Sequence, residues 1–227
     1  ISVKFWGIGS DGLVGASKNT AKIIGDHTDK YVQAYFQYDS KKSGGLTISH
    51  LRFGDHPIRS AYYVGDADCV VCGNPSYVDK YDMVGDVKPG GVFLLNCSWS
   101  EEDLERRLPA DMKRTLAQKG IHLYLCDAVT IAREIGLKGR INTIIQSAYF
   151  KLAGILPAEE AIEYMKQGIV NDYAAKGQKI VDMNVAAVLA GQTAAREVAV
   201  PEHWAHLEEE PRAAVGLTGA NADQADY

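Results

Sequence analysis

Long apolar runs, an excess of positive charge and the usual hydrolase motifs are all missing from this sequence of 227 residues. No apolar run reaches the roughly 18 residues that a membrane-spanning helix needs, so we expect no membrane association. The formal net charge of -5 argues against a surface built for nucleic acid. Neither Gly-x-Ser-x-Gly nor His-Glu-x-x-His occurs, and the six histidines are scattered. The sequence therefore favours binding over local bond-breaking chemistry.

Cysteine is also scarce, with only Cys69, Cys72, Cys97 and Cys126. The Cys-x-x-Cys spacing of the first two invites a metal or redox interpretation. However, they lie in a short apolar run that ends in a turn, which is typical of a buried strand, and side chains three apart on a strand point to opposite faces. A redox pair would also need a helix start. We therefore expect reduced core thiols and no metal ligands.

The remaining composition is that of a globular protein, with 46% hydrophobic and 23% charged residues. No charged-then-apolar signal segment precedes the first predicted strand, so we expect a cytoplasmic protein. The chain starts at Ile1 and enters that strand almost at once, as part of a longer polypeptide would. We expect an α/β domain over residues 1–199 and a linker or arm toward a following domain over residues 200–227.

Strand-like and helix-like segments alternate along the first two thirds of the sequence. Period-2 or continuous apolar patterns predict strands at 2–6, 31–38, 46–53, 60–64, 69–72, 92–96 and 121–125. Helical spacing and breakers predict helices at 13–24, 101–108, 110–119, 129–135, 141–156, 158–175 and 180–198. This order favours a three-layer α/β/α Rossmann-like domain with additional C-terminal helices.

The strongest local motif is Gly7-x-Gly9-x-x-Gly12, between the first strand and the first helix. Glycines permit a tight turn and close approach of a ligand, and a helix start offers free N–H groups to a phosphate. A dinucleotide site would need an acidic residue roughly 20 positions on, for which Asp29 and Asp39 are candidates. Asp11 argues against that interpretation, because a carboxylate in such a loop repels phosphate unless it contacts a neutral donor. A merely structural turn is the alternative.

Two further segments offer cationic or amide groups. Lys41 and Lys42 lie in the polar loop 39–45, after a predicted strand, where ligands of open α/β sheets bind. The segment Gly139-Arg-Ile-Asn142 precedes a predicted helix and offers a guanidinium and an amide. A solvated loop and ordinary helix capping are the structural alternatives.

An ordered series of segments resembles the pyruvate:ferredoxin (flavodoxin) oxidoreductases. It consists of Lys4-Phe-Trp-Gly-Ile-Gly-Ser-Asp-Gly12, Tyr38-Asp-Ser-Lys-Lys-Ser-Gly-Gly45, Ser49-His-Leu-Arg-Phe-Gly54, Asn74-Pro-x-Tyr77, Gly139-Arg-Ile-Asn142 and Lys179-Ile-Val-x-Met-Asn184. The resemblance is to their central domain, equivalent to the gamma subunit of related 2-oxoacid oxidoreductases. It covers nearly the whole chain and is far more specific than a lone glycine motif.

The resemblance implies a domain that binds coenzyme A for acyl transfer from the thiamine-bound intermediate. The 2-oxoacid substrate that it implies is pyruvate. The implied coenzyme A site contains Gly9, Ser10, Asp11, Gly12, Lys41, Lys42, Ser43, Arg140 and Asn142. The lysines would meet phosphates, and Asp11 would accept a hydrogen bond from a neutral part of the ligand. Leu13 replaces the threonine of the family motif, so position 13 is left out of the site.

The same resemblance implies that thiamine diphosphate, Mg²⁺ and [4Fe–4S] clusters lie in other domains of the full enzyme. Its expected partners are those domains, a second copy of the full enzyme in a homodimer, and ferredoxin or flavodoxin as electron acceptor. Two other hypotheses remain at this point: an independent NAD-binding oxidoreductase domain, which rests on the glycine motif, and a non-catalytic scaffold. Lys41 and Lys42 favour the coenzyme A hypothesis over the NAD hypothesis, because NAD binding does not need a lysine pair at this position.

Overall fold

A computed structural model of the chain describes residues 1–39 and 44–209. Seven strands occur within these residues: β1 (Ser2–Ile8), β2 (Tyr31–Tyr38), β3 (Leu46–Gly54), β4 (Ala67–Cys72), β5 (Val87–Asn96), β6 (His122–Cys126) and β7 (Arg196–Val198). Seven α-helices accompany them: α1 (Leu13–His27), α2 (Glu101–Arg107), α3 (Ala110–Gln118), α4 (Ala128–Ile135), α5 (Asn142–Ala153), α6 (Ala158–Tyr173) and α7 (Gln178–Ala194). No helix in this part of the chain is long and apolar enough to cross a membrane.

The strands form one mixed sheet in the order β2-β3-β1-β4-β5-β6-β7. The four central strands β1, β4, β5 and β6 are parallel, whereas β3 and β7 run against their neighbours. Strand β2 is antiparallel to β3 and therefore points the same way as β1. As a result, β3 is inserted between the two strands that α1 connects.

Two hydrophobic cores cover the two faces of the sheet. One face packs against α1, α4, α5, α6 and α7, with Ile144, Tyr149 and Phe150 of α5 fully buried. The other face packs against α2 and α3. Successive residues of a strand point to opposite faces of the sheet. Cys69 and Cys72, three positions apart on β4, therefore lie in different cores. The predicted three-layer α/β/α Rossmann-like architecture with additional C-terminal helices is confirmed, with a sheet that is mixed.

The predicted strand at residues 60–64 is wrong, because this segment is a loop. Its backbone groups are satisfied by side chains of β3 in place of a neighbouring strand. The Arg52 guanidinium donates to the carbonyls of Ala61 and Tyr63, and the Val64 N–H donates to Nδ1 of His50. The aromatic and β-branched composition of the segment serves packing on the sheet, which local propensity does not distinguish from strand formation.

The end of the last predicted helix is also wrong. Helix α7 ends at Ala194, and residues Arg196–Val198 form β7, the edge strand that pairs with β6. The strand predicted at 121–125 is therefore not the last one. Three residues are too few to give a strand pattern in the sequence, and β7 exists because β6 offers it a free edge.

Residues 202–207 pack against α2 and α3. Trp204, which is 2% exposed, donates from Nε1 to the Glu105 carboxylate at 2.7 Å. The Arg114 guanidinium donates to the carbonyl of Leu207 at 2.9 Å, and the Gln118 amide donates to that of Ala205 at 3.0 Å. The rest of the predicted arm, residues 210–227, lies outside the described residues, so its assignment as a linker stays a prediction.

Candidate ligand-binding site

The glycine loop, residues 7–12, reverses the chain at the carboxyl end of β1. Ser10 and Gly12 both have positive φ, 78° and 86°, and Gly12 is the N-cap of α1. The Asp11 N–H donates to the Ile8 carbonyl at 3.0 Å, which closes the turn. Because an L side chain at position 12 would be strained, the glycine is required by the backbone as well as by any ligand.

Asp11 turns its carboxylate back into this loop. Its two oxygens accept from the backbone N–H groups of Ile8 and Leu13, both at 2.8 Å. Partial burial raises the pKa of the Asp11 carboxyl, and these two hydrogen bonds counter the rise. The Leu13 N–H belongs to the first turn of α1, so the aspartate occupies a donor that a phosphate would otherwise use. The Asp11 carboxylate is therefore accommodated in this loop by neutral backbone N–H groups of the protein itself.

The hairpin that joins β2 to β3 lies against the glycine loop. The Gly9 N–H donates to the Gly45 carbonyl at 2.7 Å, and Asp39 and Leu46 close the hairpin through a 2.9 Å hydrogen bond. A Cβ at Gly9 would lie in van der Waals contact with the Gly45 carbonyl, 3.5 Å away. Lys41, Lys42 and Ser43, which were predicted in the site, lie outside the described residues. The segment that follows them, Gly44 and Gly45, contacts the glycine loop at Gly9.

The start of α5 reaches the glycine loop from the other side. A Cβ at Gly12 would stand 3.0 Å from both Cβ and Cγ of Asn142, so the missing side chain makes room for the asparagine. Arg140 is exposed, two residues before α5 begins. The structure therefore brings Asn142 to the predicted loop and places Arg140 close by in the chain.

One residue outside the predicted set, Tyr77, forms a hydrogen bond with the glycine loop. The hydroxyl of Tyr77, which is 5% exposed, donates to the Gly7 carbonyl at 3.1 Å. Burial raises the pKa of Tyr77 to about 12, so the hydroxyl keeps its proton at neutral pH and can donate. The motif Asn74-Pro-x-Tyr77 was the available sequence signal, but nothing in it indicates a partner seventy positions away.

The four cysteines are buried free thiols. Burial raises the pKa of Cys69, Cys72 and Cys126 to about 12 and also raises that of Cys97. Cys69 and Cys72 lie on β4, as predicted, and face opposite cores. Within residues 1–39 and 44–209 no three His, Cys, Asp or Glu side chains cluster so as to hold a metal ion. That the chain is free of metal stays a prediction.

Sheet order argues against the dinucleotide hypothesis. In a dinucleotide fold the strand that follows α1 lies beside β1, and an acidic residue at its end reaches the ribose. Here β3 separates β1 from β2, which displaces Asp39 from the glycine loop by one further strand spacing of about 4.8 Å. Asp29 precedes β2, so it lies near the amino ends of the strands, whereas the glycine loop lies at their carboxyl ends.

A mixed α/β sheet with a glycine loop at the carboxyl ends of its parallel strands defines a Rossmann-like domain. A family model described as pyruvate ferredoxin/flavodoxin oxidoreductase matches residues 2–194, and the chain belongs to that family. The predicted resemblance is thereby confirmed.

Two curated relatives illustrate the match. The chain is 57% identical over 212 residues to a pyruvate:ferredoxin oxidoreductase of Moorella thermoacetica, and 56% identical over 206 residues to a pyruvate-flavodoxin oxidoreductase of Enterobacter agglomerans. These alignments cover 93% and 91% of the chain but only 18% of either relative. The chain thus spans about a fifth of the length of the curated relatives it matches.

Solved structures share the fold. The pyruvate oxidoreductase subunit PORC of Thermotoga maritima superimposes with a TM-score of 0.70 at 21% identity, over 88% of this chain and 98% of the subunit. The gamma subunit of a keto/oxoacid ferredoxin oxidoreductase of Geobacter sulfurreducens gives 0.59 at 19% identity, over 86% and 98%. Each of these separate subunits, over nearly its whole length, has the fold of most of the present chain.

Proposed function

We propose that this chain is the part of a pyruvate:ferredoxin or pyruvate:flavodoxin oxidoreductase that binds coenzyme A and presents its thiol for acyl transfer. Family membership and the names of the curated relatives support the reaction. A 2-oxoglutarate:ferredoxin oxidoreductase of Magnetococcus marinus, with a TM-score of 0.59 at 17% identity, has been solved with coenzyme A bound. The products would be acetyl-CoA, CO₂ and reduced ferredoxin or flavodoxin.

The observation that carries the proposal is the convergence of two other segments on the glycine loop. Gly9 meets Gly45 at the end of the hairpin, and Gly12 meets Asn142 at the start of α5. Such a site offers backbone N–H groups, an amide and nearby cations, which suit the phosphates and amides of coenzyme A.

Each predicted residue then has a role. Lys41 and Lys42 would supply point charges to phosphate groups, Ser43 would be a further hydrogen-bond donor, and Arg140 would add a guanidinium. Gly9 and Gly12 let the hairpin and Asn142 approach the loop, so they shape the site, and Ser10 would contact the ligand. Asp11 fixes the loop through Ile8 and Leu13 and still has lone pairs for an amide or hydroxyl of the ligand.

The other cofactors of the full reaction do not fit the residues described in this chain. A [4Fe–4S] cluster needs accessible thiolates, whereas these four thiols are buried and their pKa values are raised. A magnesium–diphosphate complex needs clustered oxygen ligands, and residues 1–39 and 44–209 contain no cluster of acidic side chains of that kind. We therefore assign thiamine diphosphate, Mg²⁺ and the clusters to other parts of the enzyme, which would act as a homodimer in the cytoplasm.

The division of labour is tested in the full-length enzyme with the Lys42→Ala variant. We expect CO₂ release from pyruvate in the first turnover, without coenzyme A, to be unchanged, and coenzyme A-dependent acetyl-CoA formation to be impaired. Lys22→Ala, which removes an exposed lysine of α1, is the matched control. Loss of the first-turnover CO₂ release in Lys42→Ala alone would show that this domain does more than bind the acyl acceptor.

A further inference from the structure

The two edges of the sheet are built differently. The β7 edge is three residues long, and two of them, Arg196 and Glu197, are charged. The β2 edge runs for eight residues, Tyr-Val-Gln-Ala-Tyr-Phe-Gln-Tyr, without a charge, a proline or a glycine. Short strands, charges and prolines are the usual means by which a free edge is prevented from pairing with another chain. The β7 edge has this protection and the β2 edge lacks it.

The hairpin register identifies the free groups on the β2 edge. Asp39 donates its N–H to the Leu46 carbonyl, so this pair is hydrogen-bonded. Hydrogen-bonded pairs alternate along an antiparallel ladder, so Tyr31, Gln33, Tyr35 and Gln37 also face β3. The N–H groups of the other four residues point away from the sheet: Val32, Ala34, Phe36 and Tyr38. Within the described residues no strand pairs with that side.

Exposed tyrosines flank the same edge. Tyr31 and Tyr38 are 49% and 58% exposed, and in the neighbouring loop Tyr62 and Tyr63 are 60% and 52% exposed. Tyr35 stacks on Tyr62 with ring centroids 5.2 Å apart and packs edge-on against Tyr63 at 5.4 Å, so these three rings form one cluster beside the strand, whereas Tyr38 lies on the opposite face of β2. Large amphipathic side chains of this kind are enriched in protein interfaces and combine an apolar ring with a hydroxyl.

We propose that β2 accepts a further β-strand from the same polypeptide, donated by a segment of the full-length enzyme outside residues 1–227. Main-chain hydrogen bonds to the four outward N–H groups give the pairing, and alternate apolar side chains of the donor cover the tyrosines. The proposal rests on family membership and does not depend on coenzyme A binding.

The choice of occupant follows from length and linkage. The curated relatives extend far beyond the matched region, which is 18% of each, so most of such a polypeptide lies outside this chain. A segment on the same polypeptide reaches the edge at a high effective concentration, whereas a separate molecule must first pay the entropy of association. Because the β2 edge carries no charge, the donor needs no complementary charge, only an extended conformation and alternating apolar residues.

The test is hydrogen exchange of the full-length enzyme, read residue by residue over β2. The four N–H groups that face β3 are the internal reference. We expect Val32, Ala34, Phe36 and Tyr38 to be protected to a similar extent, exchanging at least about a hundredfold more slowly than unstructured amides. Rapid exchange of these four beside a protected reference set would overturn the proposal. Protection that disappears when the enzyme is diluted to a monomer would identify a second copy as the occupant, and would also overturn it.

A pair of variants at one position sharpens the result. Ala34→Pro removes an outward N–H and leaves those facing β3 in place, and Ala34→Gly weakens the strand but keeps the donor. We expect at least about tenfold faster exchange of Phe36 and Tyr38 in Ala34→Pro than in Ala34→Gly. Equal exchange in the two variants contradicts the proposal. If Ala34→Pro does not fold, exchange of the unmodified enzyme decides.

Discussion

The Tyr77 hydroxyl donates a hydrogen bond to the carbonyl of Gly7, which lies seventy positions earlier in the chain. This contact joins the 3₁₀ helix after β4 to the first residue of the glycine loop. It is a second contact that holds the turn, besides the hairpin contact of Gly9. Tyr77 is thus a positioning residue for a loop that it does not belong to.

Replacing Tyr77 by phenylalanine should loosen this loop. The lost hydrogen bond is worth about 1 kcal/mol and leaves the Gly7 carbonyl with one partner fewer. We expect coenzyme A to bind the full-length enzyme several-fold more weakly, as measured by titration calorimetry. Tyr81→Phe is the control, because its ring packs 5.2 Å from that of Tyr77. An equal loss in both variants would mean that the effect does not come from the hydrogen bond between Tyr77 and Gly7.

Replacing both Lys41 and Lys42 by alanine should weaken coenzyme A binding. Each charge-assisted contact should be worth about 1.5–3 kcal/mol if it is buried and less if it is solvated. A double variant of exposed lysines elsewhere, Lys22→Ala with Lys80→Ala, keeps the same net charge change. Parallel titrations with coenzyme A and with NAD check the ligand class. Unchanged coenzyme A affinity in the folded Lys41/Lys42 variant would show that these lysines belong to a solvated loop and do not contact the ligand.

His50 should make folding stability fall with decreasing pH. Burial, together with the charges of Lys4 and Arg52, lowers the pKa of His50 to about 3, from an ordinary value near 6.5. Its Nδ1 accepts from the Val64 N–H at 2.9 Å, which requires the neutral ring. Below about pH 6.5 the unfolded chain takes up a proton that the folded chain does not, so stability present above that pH is lost toward pH 3.

The expected loss from this single group is about 1.4 kcal/mol per pH unit in that window. Urea unfolding of the chain and of His50→Gln at several pH values isolates it, because all other titrating groups are shared. The difference between the two free energies of unfolding should change with pH at this slope. Two curves that stay parallel from pH 6.5 to pH 4.5 would show that His50 titrates normally in the folded chain.

The purified chain should contain neither an iron–sulfur cluster nor structural zinc. Cys69 and Cys72 face opposite cores on one strand, and burial raises the pKa of both thiols to about 12, so neither offers a thiolate. Elemental analysis of protein that has never met a chelator measures this directly. Stoichiometric iron or zinc would show that the cysteines rearrange to bind metal.

Much of the fold could be predicted from the sequence because its central strands are buried on both faces. The run at 69–72 reads as a strand in any context, and the structure extends it only to Ala67–Cys72. The limits appear where an element depends on a distant neighbour. Strand β7 exists because β6 has a free edge, and residues 60–64 are a loop because Arg52 and His50 satisfy their backbone.

The candidate site was predictable in composition but not in its internal contacts. The glycine loop and the start of α5 carry motifs, and the structure brings Gly12 and Asn142 together. The partners of Asp11 could not be read from the sequence, since they are backbone N–H groups, of Ile8 in its own loop and of Leu13 at the start of α1. The insertion of β3 between β1 and β2 is a matter of strand order, which no local pattern encodes.

The burial of Trp204 against Glu105 anchors the chain six residues beyond the end of β7. The reach of any attached group is measured from such an anchored residue, and each residue held on the domain removes up to about 3.5 Å of that reach. A shorter reach raises the effective concentration of an attached group, as long as the gap can still be spanned. Trp204→Ala would therefore move this anchor point back toward β7.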